Sequence, residues 1–291
     1  MAQNFDLFGN PVEEDVLLRD KFIEPPFSVL DTKNGNWVRR KRQWKGLGIK
    51  SEVGREAKVF NNDQFKPYKG NRDRLAGKDT STFDPALCEV LYKWFCPNGG
   101  DILDPFSGGS VRGIVANYLG YHYTGIDIRQ EQIDSNREQA CDILEVTNYP
   151  NWYVGDSNLM LDDFNKEYDM VFSCPPYADL ETYSDMVGDI SNMNYDDFMV
   201  AYKSIINKSC KLLKSGGYAV FVVGEVRDKQ GNCVGFVPDT INAFKDAGLN
   251  YYNEAILLDQ LGTACMRADK QFSAKQKLVK VHQNVLVFKK D

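Results

Sequence analysis

Asp101-Ile-Leu-Asp-Pro-Phe-Ser-Gly-Gly-Ser-Val-Arg-Gly113 is the stretch on which the fold class turns. The apolar pair Ile102-Leu103 reads as the end of a buried strand, and the acid Asp104 follows it. Pro105-Phe106 and the small residues Ser107 to Ser110 then make a tight turn. Beyond the turn, Val111, Ile114, Val115 and Leu119 recur at helical spacing. A strand, a small-residue turn and a helix in this order let a ligand approach the backbone closely at the carboxyl end of the strand. Many nucleotide-binding α/β proteins share this pattern.

Three further strand ends narrow it. Tyr123-Thr-Gly-Ile-Asp-Ile128 ends in an acid, Asp127, 23 residues beyond Asp104, the distance at which a dinucleotide fold places its ribose-binding carboxylate. Tyr153-Val-Gly-Asp156 again ends in an acid, and Tyr168-Asp-Met-Val-Phe-Ser-Cys-Pro-Pro-Tyr177 ends in Cys174-Pro175-Pro176-Tyr177. Asp-Pro-Phe-x-Gly, then Gly-x-Asp, Gly-Asp and Pro-Pro-Tyr, each at a strand end, resemble the S-adenosylmethionine-dependent amino-methyltransferases of DNA. Those enzymes methylate N4 of cytosine or N6 of adenine. The resemblance covers roughly residues 80–228 and the final strand.

The resemblance implies an α/β, Rossmann-like methyltransferase fold: a mostly parallel, seven-stranded sheet ending in an antiparallel hairpin, with a basic N-terminal arm. Strands are expected at 101–104, 123–127, 152–154, 169–173, 218–224, 253–258 and 284–288, and helices at 111–119, 130–145, 195–213 and 237–247. The cofactor is then S-adenosyl-L-methionine. Asp127 would accept both ribose hydroxyls, Asp156 would accept from the adenine amine, Asp104 would face the ammonium, and Phe106 would offer a flat face. Pro105, Gly108, Gly109, Ile128 and Ser157 complete the expected cofactor set, with Thr80 on the loop that holds the methionine end. Each acid taken singly could equally be a helix N-cap; three at successive strand ends are harder to explain that way.

Cys174, Pro175, Pro176 and Tyr177 are the expected catalytic group. In the family, the side chain before Pro-Pro and a backbone carbonyl hold the target amine, and the tyrosine stacks on the flipped-out base. The first position is usually Ser, Asp or Asn, and here it is Cys174. A thiol is a weak donor and acceptor, so the usual clue to cytosine or adenine is lost. The 5-methylcytosine enzymes, whose cysteine is a nucleophile, carry it after the proline, not before. Ser110 stands where the family often has glycine, which is tolerable if its backbone is helical.

Composition sets the surroundings. In 291 residues, 43% are hydrophobic and 26% charged, an ordinary balance for a soluble globular protein. No run of 18 apolar residues suggests a membrane span, and Met1-Ala-Gln-Asn-Phe-Asp6 lacks the basic start and apolar core of a secretory signal. Seven scattered cysteines without a Cys-x-x-Cys pair, and only two histidines, argue against a zinc site and for reduced thiols in a cytosolic protein; the resemblance implies the cytoplasm of a bacterial or phage-infected cell.

The charge is lopsided. From Lys33 to Lys78, 14 Lys/Arg stand against four acids, a net of +10 in a chain whose total is −6. A basic segment on an acidic body suits a polyanion, which the resemblance implies is double-stranded DNA. Trp37 and Trp44 fall on one helical face and are expected to pack, leaving Arg39, Arg40, Arg42 and Lys45 to track phosphates. Arg267 and Lys270 belong to a second basic loop, 262–280. The chain therefore divides into a flexible 1–20, a basic arm 21–79 for DNA recognition, and a methyltransferase domain 80–291. Only 63 residues follow Asp228, so target recognition is expected from residues 21–80 and from the loops at 178–194 and 262–280. Gln3 to Phe8 resembles peptides that bind bacterial sliding clamps, although a mobile N-terminus is the plainer reading. Two rival readings are an RNA N-methyltransferase and a non-catalytic nucleic-acid-binding protein that keeps the cofactor fold.

Overall fold

A computed structural model describes residues 18–49, 83–176, 188–228, 230–259, 261 and 264–291. Three short elements come first: α1 (Leu18–Phe22), β1 (Val29–Asp31) and α2 (Gly35–Gly46). The main run then follows as α3 (Pro85–Phe95), β2 (Asp101–Asp104), α4 (Val111–Tyr118), β3 (His122–Asp127), α5 (Gln130–Ile143) and β4 (Asn151–Val154). After the single turn α6 (Ser157–Met160) come β5 (Tyr168–Ser173), α7 (Tyr195–Lys211), β6 (Leu213–Val223), α8 (Phe236–Asp246), β7 (Asn250–Leu258), α9 (Ala264–Lys275) and β8 (His282–Lys289).

The strands form one sheet in the order β1-β7-β8-β6-β5-β2-β3-β4. Strand β8 lies between β6 and β7 and runs antiparallel to both, with Val220 opposite Val287 on one side and Leu257 opposite Gln283 on the other. The remaining pairings are parallel. The expected hairpin of the last two strands is therefore present. The described sheet has eight strands because Val29–Asp31 from the arm pairs along the edge of β7.

Alternation along the strands feeds two cores, one on each face. Ile102, Met170, Phe172, Val220, Val222 and Val285 meet α3 and α4 through Leu87, Val90, Leu91, Ile114 and Val115. Leu103, Val171, Phe221, Leu286 and Phe288 meet α7 and α8 through Phe198, Tyr202, Ile205, Phe236 and Phe244. Buried on both faces, the central strands read as continuous apolar runs.

The described part of the arm is docked on the main fold. Trp37 and Trp44 are buried, as their spacing predicts. Their indole N–H groups donate to Asp84 at 3.1 Å and to Glu89 at 2.7 Å, both on or beside α3. Arg40 does not point outward with its neighbours: Nε and Nη2 donate to the two Glu89 oxygens at 2.6 and 2.5 Å. The expectation that Arg40 tracks phosphate is corrected by this pair. Glu89 is buried and needs a counter-charge, and Arg40 stands on the tryptophan side of α2. Arg39, Arg42 and Lys45 are exposed.

Candidate functional site

The chain runs outward from β2 through β3 to the edge strand β4, then returns to β5 on the other side of β2. At such a reversal the helices that follow neighbouring strands leave on opposite faces, and a crevice opens at the strands' carboxyl ends. A cavity of about 550 Å³ lies there. Its wall brings together Pro105, Phe106, Gly108, Gly109, Asp127 and Ile128. Asp156, Ser157, Cys174, Pro175 and Pro176 line the same space. Thr80 and Tyr177 fall outside the described residues, as do most of the 178–194 loop, residues 50–79 of the arm and the clamp-like Gln3–Phe8 segment.

The glycine turn is held from below. Asp104 is fully buried, and its side chain is spent on the protein itself. One oxygen accepts from the Phe106 N–H at 3.1 Å and from the Ser173 hydroxyl at 2.5 Å. The other accepts from Arg112 Nε at 2.6 Å and from the Tyr123 hydroxyl at 2.7 Å. The expectation that Asp104 faces a ligand ammonium is therefore corrected, because four donors already surround it and it does not line the cavity. Arg112 continues the network upward, with Nη2 donating to the carbonyls of Phe106 at 2.6 Å and Ser107 at 2.9 Å. Burial works against the Arg112 charge, but Asp104 and the other acidic neighbours outweigh it and hold the guanidinium's pKa well above its ordinary value. Burial and then Asp104 likewise push the Tyr123 phenol well up.

The turn also needs space. Gly108 has φ +48°, in the left-handed region that favours glycine, and Asn136 Nδ2 donates to its carbonyl at 2.7 Å. A Cβ on Gly125 would stand 2.7 Å from that of Ser107, so the turn can cross β3 only over a glycine. Ser110 has φ −67° and ψ −21°, helical values open to any residue, so the departure from glycine there causes no strain.

At the ends of β3 and β4, Asp127 and Asp156 open onto the cavity. The Gly155 N–H donates to the Asp127 carbonyl at 2.9 Å, tying the two strand ends together. Asp127 Oδ1 accepts from the Arg129 N–H at 2.8 Å. Asp156 caps α6 through the Asn158 N–H at 2.7 Å, so the capping reading and the pocket reading hold together. Ser157 donates to the Pro105 carbonyl at 2.6 Å, joining this end to the glycine turn. A Cβ on Gly188 would come within 3.2 Å of Asp156 Oδ2, which places the chain before α7 directly against that carboxylate.

The far end of the cavity was not anticipated. Thr32, Lys41, Asp84, Leu257, Asp259 and Gln283 line it. Lys41 donates to Asp84 at 2.8 Å, and Thr32 donates to the Leu258 carbonyl at 2.7 Å. Burial raises the pKa of Asp259, against the lowering effect of His282, Lys280 and Lys41. The signal for Asp259 was in the sequence: it is one more acid directly after a strand, and Lys41 lies one helical turn from the packed Trp37. Arg267 and Lys270 are exposed on α9, where a loop was expected and a helix is found. Among the described residues, no group of His, Cys, Asp and Glu has the arrangement of a metal site, and no helix is long and apolar enough to cross a membrane.

The sequence matches no protein-family model. Solved structures share the fold. A putative RNA methyltransferase, PH1948 from Pyrococcus horikoshii, is 13% identical with a TM-score of 0.50, over 87% of this chain and 98% of that one. TrmN from Thermus thermophilus is 15% identical with a TM-score of 0.47 over 72% of this chain. The match spans about half of TrmN, 49% of its length. The magnesium protoporphyrin IX methyltransferase ChlM from Synechocystis PCC 6803, solved with bound SAM, is 11% identical with a TM-score of 0.44, over 71% of this chain and 79% of that one. At these identities the likeness is one of fold: an α/β, Rossmann-like methyltransferase fold with a mostly parallel sheet and an antiparallel pair, β7 and β8.

Proposed function

We propose that this chain methylates an exocyclic amine of DNA, N4 of cytosine or N6 of adenine, with S-adenosyl-L-methionine as donor. The observation that carries the reading is one cavity shared by the glycine turn, the strand-end acids Asp127 and Asp156, and Cys174-Pro175-Pro176. The residues suit the donor. A volume of about 550 Å³ lies within the usual range of small-ligand pockets. Asp127 supplies a carboxylate for a diol, Asp156 a second acceptor beside the chain at Gly188, and Phe106 an aromatic ring in the wall. Five acids (Asp84, Asp127, Asp156, Asp189 and Asp259) against three bases (Lys41, Arg112 and Arg129) give the wall an acidic balance suited to a cationic ligand. When bound, the cofactor supplies an electrophilic methyl group on a sulfonium.

The chain's own residues do the rest. The Asp104–Arg112 network fixes the turn that the donor would lie against. Pro175 and Pro176 hold φ and stiffen the wall at the end of β5. Cys174 stands at the position from which a side chain would contact the target amine, and Ser173 points the other way into the Asp104 network. The acceptor's nitrogen would take the methyl as the bond from methyl to sulfur breaks and leaves a neutral thioether, and the amine's proton would pass to water, with no covalent bond to the enzyme.

Two outcomes test the parts. Cys174→Ser puts a stronger hydrogen-bond partner at the same place with little change in volume, and transfer should be kept or raised. Loss of transfer in this variant, together with a protein–DNA adduct trapped by the wild type on fluorinated cytosine, would point to thiol attack instead. Replacing Arg39, Arg42 and Lys45 by Glu should weaken DNA binding. The slope of log affinity against log salt should become shallower by about one for each phosphate no longer neutralised. Cofactor affinity should not change. Binding isotherms at several salt concentrations give the slope, and an unaltered slope would mean that these exposed charges touch no phosphate.

A further inference from the structure

We propose that Met266, carried on α9 beside Arg267 and Lys270, enters the base stack of duplex DNA when a target base leaves it. The inference rests on the proposed reading that the chain methylates bases in DNA. Its starting point is the place of α9. The helix is the insertion between β7 and β8, and residues on either side of that insertion, Asp259 and Gln283, line the cavity. The helix is therefore inserted on the cavity side of the sheet.

Its side chains divide by face. Ala264 is buried and anchors the first turn. Phe272 borders a small hollow with Leu278 and Val279, where the chain returns toward β8. Met266 lies elsewhere on the helix and is 79% exposed. At about 100° per residue, Met266, Lys270 and Arg267 fall within one arc of roughly a quarter turn. An unbranched apolar tip thus projects with Lys270 one turn beyond it, and with Arg267 and Asp269 to either side.

The charge of the insertion selects the occupant. From Ala264 to Lys280 there are five Lys/Arg and one acid, Asp269. That balance favours phosphates and disfavours a cationic partner. Apolar side chains that insert at a base step, methionine among them, hold open a stack that costs a few kcal/mol to break. A thioether is polarizable and flexible enough to fill an irregular gap. Arg267 and Lys270 would hold the flanking phosphates and set the depth of entry.

The wedge is needed only where there is a stack to hold open, and this gives the test. Labelled methyl transfer is measured on a plasmid as duplex and on the same DNA after heat denaturation. Met266→Ala should slow transfer to the duplex about tenfold, while transfer to the denatured DNA stays within about twofold of the wild type. Met266→Leu should restore most of the duplex rate, since an apolar tip is what the gap requires. With wild-type transfer in place, an equal loss on both substrates, or no loss on the duplex, would overturn the wedge and leave the base-methylation reading standing. A wild-type protein that transfers no methyl to either form of DNA would overturn both.

Discussion

Asp104→Ala should destabilise the fold by about 3–5 kcal/mol, because it strips the counter-charge from a buried guanidinium. Arg112 Nε loses its acceptor at 2.6 Å, and the Tyr123 and Ser173 hydroxyls lose theirs at 2.7 and 2.5 Å. These are interior groups, and water cannot replace the carboxylate without opening the sheet beneath the glycine turn. Urea unfolding followed by circular dichroism reads the loss as a fall in midpoint. Asp104→Asn should cost less, since the amide oxygen still accepts two of the four bonds. An unfolding free energy within about 1 kcal/mol of wild type for Asp104→Ala would mean that the network does not hold the turn.

Asp127→Ala should act on binding instead. Its carboxylate opens onto the cavity at the end of β3. Removing a charged acceptor from two ligand hydroxyls should weaken S-adenosylmethionine by about 2–4 kcal/mol, roughly 30- to 800-fold in Kd. The protein should remain folded, because the Gly155 N–H still donates to the Asp127 carbonyl at 2.9 Å after the side chain's bond from the Arg129 N–H and its pairing with Arg129 Nε at 3.8 Å are lost. Calorimetry on the two variants separates the roles. The Asp104 change should show first as lost stability, the Asp127 change as lost affinity at ordinary stability. Unchanged affinity in a folded Asp127→Ala protein would remove this carboxylate from the site.

The two acids also show what a sequence can and cannot give. Both sit at strand ends, and both were legible there because an apolar run that stops at an acid followed by small residues is a local pattern. Which way each carboxylate turns is not local. Asp104 turns inward because Arg112, Tyr123 and Ser173, which are 8, 19 and 69 residues away, converge on it. The strands and helices of the central run were legible for the same local reason: their apolar periods are long and bounded by Gly, Pro or Asp. The arm was legible only in part. The spacing of Trp37 and Trp44 revealed a packed face, but the commitment of Arg40 to Glu89 depends on a buried acid 49 residues on. Strand β1 is three residues long and is a strand only because the edge of β7 offers it partners. Helix α9 read as a loop because charged residues interrupt its apolar positions, and it packs into neither of the two main cores. The polar far wall of the cavity, from Thr32 to Gln283, is assembled by topology from segments that no motif joins.

The central claim is that methyl groups pass from S-adenosylmethionine to amine nitrogen in DNA. The direct test incubates the purified protein with methyl-labelled cofactor and, separately, genomic DNA and total RNA, then digests each to nucleosides and identifies the labelled product by mass spectrometry. Label is expected in the DNA sample alone, as N4-methylcytosine or N6-methyladenine. Label confined to RNA nucleosides, label in 5-methylcytosine, or no labelled nucleoside in either sample would contradict the claim.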